Sequence, residues 1–367
     1  MRKIFSSIPW FAPELGDREK ELVLEVINSN YLNEGNFTEL FEIKVAEMLG
    51  VTHCVAVTSG TIAIALALMG LGVGSGDEVI VPDFTFIATA NAVRLTGAEV
   101  KLVDIEPKRF TIDIEKVISS ITPRTRAVIS VDVNGRGVNY DLLEPIAKGR
   151  RLFLICDSTE GFGSKWKGRY LGSFGDAGCF SFSANKTITT GQGGMIATNN
   201  TDLYYRLREL KDQGRRSQGT GGNDLHPVMG YNFKFTNLQA AVGLGQLEKL
   251  SKRLNKAKQR DKWYQDLLKD LQGITLPHLE NKEGEVAQWT DILIQDKGEI
   301  ESAFKKFNIG YRAFWYPLHT QEPYKANGSN FQNSIDTSKN GLWLPSFFGL
   351  TKKQVEYICK IIKDTLR

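Results

Sequence analysis

The chain has 367 residues, 41% of them hydrophobic and 24% charged, with 46 basic residues against 42 acidic ones. That composition supports a buried core and excludes intrinsic disorder, collagen and low-complexity architectures. A formal charge of +4, with no long basic run, argues against a nucleic-acid partner.

At roughly 100–200 residues per domain, the length predicts two domains, or one large domain with an appendage. Met1-Arg2-Lys3-Ile4-Phe5 is not followed by the apolar core of a signal peptide. The longest apolar stretch, Ile62 through Leu71, is far shorter than the roughly 20 residues that span a bilayer. No membrane partner is expected. Cys54, Cys156, Cys179 and Cys359 lie among apolar neighbours without a CxxC spacing. They read as reduced, buried thiols of a cytoplasmic protein. His53, His226, His278 and His319 are dispersed and form no HExxH pattern, so no metal is expected.

In chain order, amphipathic helices are predicted around Glu19–Ile27 and Phe37–Leu49, with a turn at Asn33-Glu34-Gly35-Asn36. Short Val-, Ile- and Phe-rich runs bounded by Gly, Asp or Pro then predict strands. They are Cys54–Val57, Glu78–Pro82, Glu99–Val103, Ala127–Val131, Leu152–Cys156, Ala177–Phe182 and Gly194–Thr198. Helical patterns fall between them at Thr61–Leu71, Ile87–Leu95, Ile114–Ser120 and Leu142–Ala147. This alternation predicts an α/β fold with a mostly parallel sheet flanked by helices. Ligands of such sheets sit beyond the carboxyl ends of the strands. Asn237–Leu267 reads as one long, mostly helical stretch. Shorter elements follow at Val286–Ile294, Glu299–Phe307, Tyr311–Tyr316 and Thr351–Leu366. The expected division is a large domain over 1–245 and a smaller C-terminal α+β domain over 246–367.

Five segments carry chemistry. Thr58-Ser59-Gly60-Thr61 puts hydroxyls and a glycine at a helix start, where unpaired N–H groups and the helix dipole favour a phosphate; a plain N-cap uses the same residues. There is no Walker lysine, and the glycines of Gly70–Gly76 follow a helix, which excludes P-loop and Rossmann readings. Asp157 ends an apolar run, where a carboxylate can pair with a protonated ring nitrogen or serve as a structural ion-pair partner. Lys186 follows a strand and opens the run Thr187–Gly194, rich in hydroxyls and glycine. Such an amine can bond a cofactor aldehyde and then act as a base. Phe86, just past a strand end, can stack on a flat ring or join the core. Gly230–Ala241 interleaves polar and aromatic residues ahead of a small-residue helix. Together, a phosphate site, a ring-nitrogen carboxylate, a lysine and a stacking aromatic in α/β order fit pyridoxal 5′-phosphate.

With these residues the chain resembles the DegT/DnrJ/EryC1/StrS sugar aminotransferases, enzymes of pyridoxal-phosphate fold type I, from about Phe11 to Leu366. The matching runs are Gly76–Pro82, Thr85–Val93, Phe180–Met195, Gly230–Leu247 and Tyr316-Pro317-Leu318-His319. The resemblance implies that Lys186 is the Schiff-base lysine, Asp157 the ring-nitrogen carboxylate and Phe86 the stacking aromatic. It implies phosphate contacts from Ser59, Gly60, Thr61 and Ser181, and one from Asn232 of a neighbouring subunit, hence a homodimer with shared active sites. It places His319 at the substrate, and Ser29–Phe37, Arg215–His226 and Trp315–His319 around the acceptor. The activity it implies is transfer of an amino group, from L-glutamate, to a keto-deoxysugar carried on a nucleotide. Three departures stand out: Glu160 where the family has Gln or His beside the cofactor ring, Asp132-Val133-Asn134-Gly135 for His-Leu-Tyr-Gly, and Lys234 for arginine.

Overall fold

A computed structural model describes residues 4–216, 224–277, 279–295 and 297–366. His278 and residues 217–223 of the expected acceptor segment lie outside the described residues. Helices α1 (Asp17–Asn28) and α2 (Asn36–Leu49) come first. Strands and helices then alternate: β1 (His53–Val57), α3 (Gly60–Gly70), β2 (Glu78–Pro82), α4 (Ala88–Leu95), β3 (Glu99–Val103), α5 (Ile114–Ser120), β4 (Thr125–Val131), α6 (Tyr140–Arg150) and β5 (Phe153–Asp157). A hairpin, β6 (Lys165–Trp166) and β7 (Arg169–Tyr170), precedes β8 (Ala177–Ser181) and β9 (Gly194–Thr198). Next come α7 (Thr201–Lys211), α8 (Asn237–Glu248), α9 (Leu250–Leu268), β10 (Ile274–Thr275), β11 (Asp291–Ile294) and α10 (Lys297–Phe307). The last elements are β12 (Arg312–Ala313), α11 (Gln332–Asn340), β13 (Gly341–Trp343) and α12 (Lys352–Thr365).

Seven strands form the main sheet in the order β1-β9-β8-β5-β4-β2-β3. β9 pairs antiparallel with β1 and β8, and the other neighbours are parallel, so β9 runs against the remaining six. Glu-Val-Ile-Val-Pro of β2 is buried along its whole length, as expected of a parallel strand covered on both faces. α3 reads Thr-Ile-Ala-Ile-Ala-Leu-Ala-Leu-Met and has no polar face. A helix apolar all round must be buried, and α3 packs against β5, β8, β9, α4 and α7. Its N-terminus is thereby fixed at the strand ends. Gly178 in β8 permits a close approach there: a Cβ would lie 1.8 Å from the Gly172 carbonyl oxygen.

A second, antiparallel sheet, β10-β11-β13-β12, packs with α9, α10 and α12 around Tyr264, Ile292, Ile300, Phe304, Ile358 and Ile362. Ile8 joins this smaller core and bonds to Asn308 and Gly310.

Two expectations change. The stretch Asn237–Leu267 is two helices. Lys249 leaves the helical ladder with φ −98 and ψ −1, its N–H bonded back to Gln246 and its ammonium 2.6 Å from buried Glu19. The helix α7 was not anticipated, although Leu203, Leu207 and Leu210 have helical spacing and the Asn200 side chain caps it at Leu203.

Candidate active site

The carboxyl ends of the parallel strands open into a cavity of ≈ 240 Å³. Every predicted cofactor residue except Asn232 lines it: Ser59, Gly60, Thr61, Phe86, Asp157, Glu160, Ser181 and Lys186. β1 leads into Ser59, which caps α3 by accepting from the Ile62 N–H at 3.2 Å. Helical geometry leaves the N–H groups of Gly60 and Thr61 without partners in the helix, facing an anion site. The N-cap reading is realised, and the same helix start opens on the cavity. A Cβ on Gly60 would lie 2.8 Å from that of Ser181, so the cradle admits only glycine at this point.

Asp157 is the last residue of β5 and is 3% exposed. Its carboxylate accepts from Thr89 Oγ1 at 2.7 Å and from the Thr159 N–H at 3.2 Å. Thr85 in turn bonds Thr89 at 2.9 Å, and the acceptor-only carboxylate makes Thr85 the donor in that pair. Burial pushes Asp157 above the ordinary carboxylate range, with these hydrogen bonds and the Lys186 charge opposing. A buried carboxylate aimed into a cavity, with hydroxyl donors but no ion-pair partner among the described residues, fits a protonated ring nitrogen.

Lys186 sits on a loop closed by the bonds Phe182 N to Gly193 O and Thr190 N to Phe182 O, both 2.9 Å. Thr189 Oγ1 donates to Phe182 O and accepts from the Gly191 N–H. Arg253 holds Thr187 O at 3.0 Å. The hydroxyls and glycines of that run thus hold the loop, and Lys186 Nζ reaches Glu160 Oε1 at 3.5 Å. Burial raises Glu160, with Lys186 the main opposing influence. The other Glu160 oxygen accepts from the Asn134 N–H at 3.1 Å. Asn134, at φ +52, also pairs its side chain with both backbone groups of Trp289. The ring of Phe86 is 50% exposed at the cavity.

Asn232 does not reach this cavity; it is exposed and bridges to Asp212. His319 does not line it either. It is 4% exposed, its N–H and Nδ1 each lie 2.7 Å from Asp83, and its ring stacks on Phe331. Lys234 bonds Asp212 at 2.6 Å. Thr89, Gln192, Trp289 and Arg312 line the cavity without having been given a role from sequence, and Trp315, the first residue of an expected acceptor segment, lines it too. Thr89 lies in the first turn of α4, four residues beyond Thr85 in the turn that precedes the helix; the others arrive through tertiary packing.

Asp132 follows β4 and is fully buried, accepting from Tyr140 Oη at 2.7 Å and from Ser158. Burial pushes it up to about 7. The native state therefore keeps this proton where the unfolded chain has released it. The associated stability is complete below the unfolded value and is lost as pH rises towards about 7. Asp132→Asn should flatten that loss. Between about pH 5 and 8 the wild type is expected to lose more melting temperature than the variant. Equal losses in a thermal-unfolding series would count against it.

A carboxylate at the cavity floor, an amine on a braced loop and a helix N-terminus narrowed by Gly60 fit a flat, phosphorylated aldehyde cofactor with a basic ring nitrogen. Fold and site define the class as pyridoxal-phosphate enzymes. The chain belongs to the DegT/DnrJ/EryC1/StrS aminotransferase family, which it matches over residues 13–363. It is a pyridoxal-phosphate-dependent aminotransferase. It is 36% identical to GDP-perosamine synthase of Escherichia coli O157:H7 over 97% of this chain and 98% of the relative. It is 34% identical to GDP-perosamine synthase of Caulobacter vibrioides over 97% of each. The crystal structure of S. venezuelae DesV in complex with a ketimine intermediate is similar with a TM-score of 0.93, at 27% identity over 99% of both chains.

Proposed function

We propose that this protein moves an amino group from L-glutamate to a keto-deoxysugar carried on a nucleotide, with Lys186 and Asp157 as its catalytic residues. The observation carrying the reading is the convergence of Lys186, Asp157 and the α3 N-terminus on one small cavity. The names of the two perosamine synthases support a nucleotide-linked sugar as acceptor. Bound pyridoxal phosphate supplies an electron-withdrawing ring that accepts the electron pair left at the donor's α-carbon. Asp157 holds the proton on the ring nitrogen. The Lys186 amine takes the proton from the donor's α-carbon, and its 3.5 Å contact with Glu160 orients it. Ser59, Gly60, Thr61 and Ser181 hold the phosphate, and Phe86 covers one ring face. Asn232, exposed and away from its own cavity, contributes to the neighbouring site of a homodimer. His319 acts at one remove, tying the Asp83–Phe86 turn to the Trp315–His319 segment.

The apolar core around Phe41 and Phe182 and the separate one around Tyr264 and Ile358 support a division near residue 245, with Ile8 joining the C-terminal core and with Trp289, Phe314 and Trp343 of the C-terminal part joining the main-sheet core. Among the described residues no helix is long and apolar enough to cross a membrane. The four cysteines are free and buried, which supports a reducing, cytoplasmic location.

The test is an absorbance spectrum of the protein with pyridoxal phosphate, followed by L-glutamate and then by a panel of ketones. A visible band should form, bleach with L-glutamate, and return with a nucleotide-linked keto-deoxysugar. Return with a keto-cyclitol or a small phosphorylated ketone alone would overturn the acceptor assignment. A band indifferent to every amino acid would point to a sensor.

A further inference from the structure

The cavity contains a second cation besides Lys186. Arg312, on the edge strand β12 of the small sheet, is among its lining residues. The guanidinium carbon lies 5.4 Å from the Trp10 ring centroid and 5.5 Å from that of Trp343. Among the described residues its side chain has no hydrogen bond or ion pair. Its charge is felt by Glu160, the carboxylate that also contacts Lys186. The guanidinium is held by two indoles that both pack on Trp289, whose ring centroid lies 5.4 Å from Lys186 Nζ, and its donor fork is unused.

Two features define what it receives. The fork matches a carboxylate or a phosphate bidentately. A nucleotide-linked acceptor must bring its sugar to Lys186, which leaves its nucleotide farther out than the ≈ 240 Å³ around that lysine. The diphosphate of a nucleotide-linked acceptor also lies several bonds from the carbon that reacts near Lys186. A donor amino acid carries its carboxylate one bond from the reacting carbon. Stacking fixes the guanidinium before the ligand arrives, which lowers the ordering cost on binding.

We propose that Arg312 recognises a carboxylate of the amino-acid donor, with Trp10 and Trp343 as positioning residues. The N-terminal segment is thereby part of the site: the Ser346 N–H bonds Trp10 O at 2.7 Å, fixing one wall of the clamp. The proposal rests on the aminotransferase reading above.

The experiment uses the cofactor-loaded enzyme and follows loss of the visible band against L-glutamate concentration, with GDP binding measured separately by calorimetry. Arg312→Gln should raise the half-saturating L-glutamate concentration about 10–100-fold, the effect of a lost charge-assisted pair. Its visible band and its GDP affinity should stay as in the wild type. Arg312→Lys keeps the charge without the fork and should give a smaller rise; it decides the matter where the glutamine variant fails to form the band. Unchanged L-glutamate saturation in a band-forming variant overturns the proposal. Weakened GDP binding with L-glutamate unaffected also overturns it and assigns the guanidinium to a diphosphate. A wild-type protein that forms no band removes the aminotransferase site itself, and this inference with it.

Discussion

Lys186→Ala is expected to lower amino-group transfer by about 10⁴-fold, the upper end of what a positioned proton-transfer group supplies. The amine is the group expected to reach both the cofactor aldehyde and the donor's α-carbon, and among the described residues no second lysine lines the cavity. Folding should survive. Loss of the ammonium leaves Glu160 buried without its 3.5 Å partner, but burial already raises that carboxyl, so it can take up a proton instead. A group raised in the folded state loses its stabilising contribution as pH rises through its folded value. The variant should therefore match the wild type in mildly acidic solution and fall behind it in alkaline solution. Turnover of L-glutamate and a ketone, with unfolding curves at several pH values, checks both parts. Sustained transfer by the variant without an added amine would sink the assignment.

Asp157→Asn should lower transfer by about 10²–10³-fold, the range for removing one preorganised electrostatic group. An amide is nearly isosteric and cannot hold a ring proton by charge. The same change should stabilise the cofactor-free protein. Burial raises Asp157, so above its folded value the free protein carries the full cost of an unpaired buried charge. The asparagine keeps an acceptor for the Thr159 N–H, and its amide can donate to Thr89, whose hydrogen turns towards Thr85. Pyridoxal phosphate should accordingly raise the melting temperature of the wild type more than that of the variant. Scanning calorimetry with and without cofactor reads this directly. Equal cofactor stabilisation in both proteins would show that Asp157 does not face the ring nitrogen.

Much of the main sheet was legible in the sequence because most of its strands are buried on both faces, the edge strand β3 being the exception. The seven predicted strands appear within one or two residues of their expected ends, since short, mostly apolar runs bounded by Gly, Asp or Pro are too short for helices. The cavity-lining residues expected at the cofactor were legible for a related reason: strand ends are where an α/β sheet exposes backbone and side chains to a ligand. The smaller sheet was harder to read. Its strands run two to four residues, too short for a period-two pattern to show. The break at Lys249 depends on Glu19, 230 residues away.

The sequence by itself determined the chain order of the main-sheet strands, the cofactor class, and the positions of Asp157 at the end of one strand and Lys186 just after another. These are local properties of burial pattern, spacing and residue type. The tertiary structure decided what those residues meet. It put Thr89 on Asp157, joined Asn134 to Glu160 and Trp289, and withdrew His319 into a buried pair with Asp83. It also brought Trp10, Arg312 and Trp343 together from opposite ends of the chain. Such contacts join residues far apart in sequence, and no local pattern encodes them.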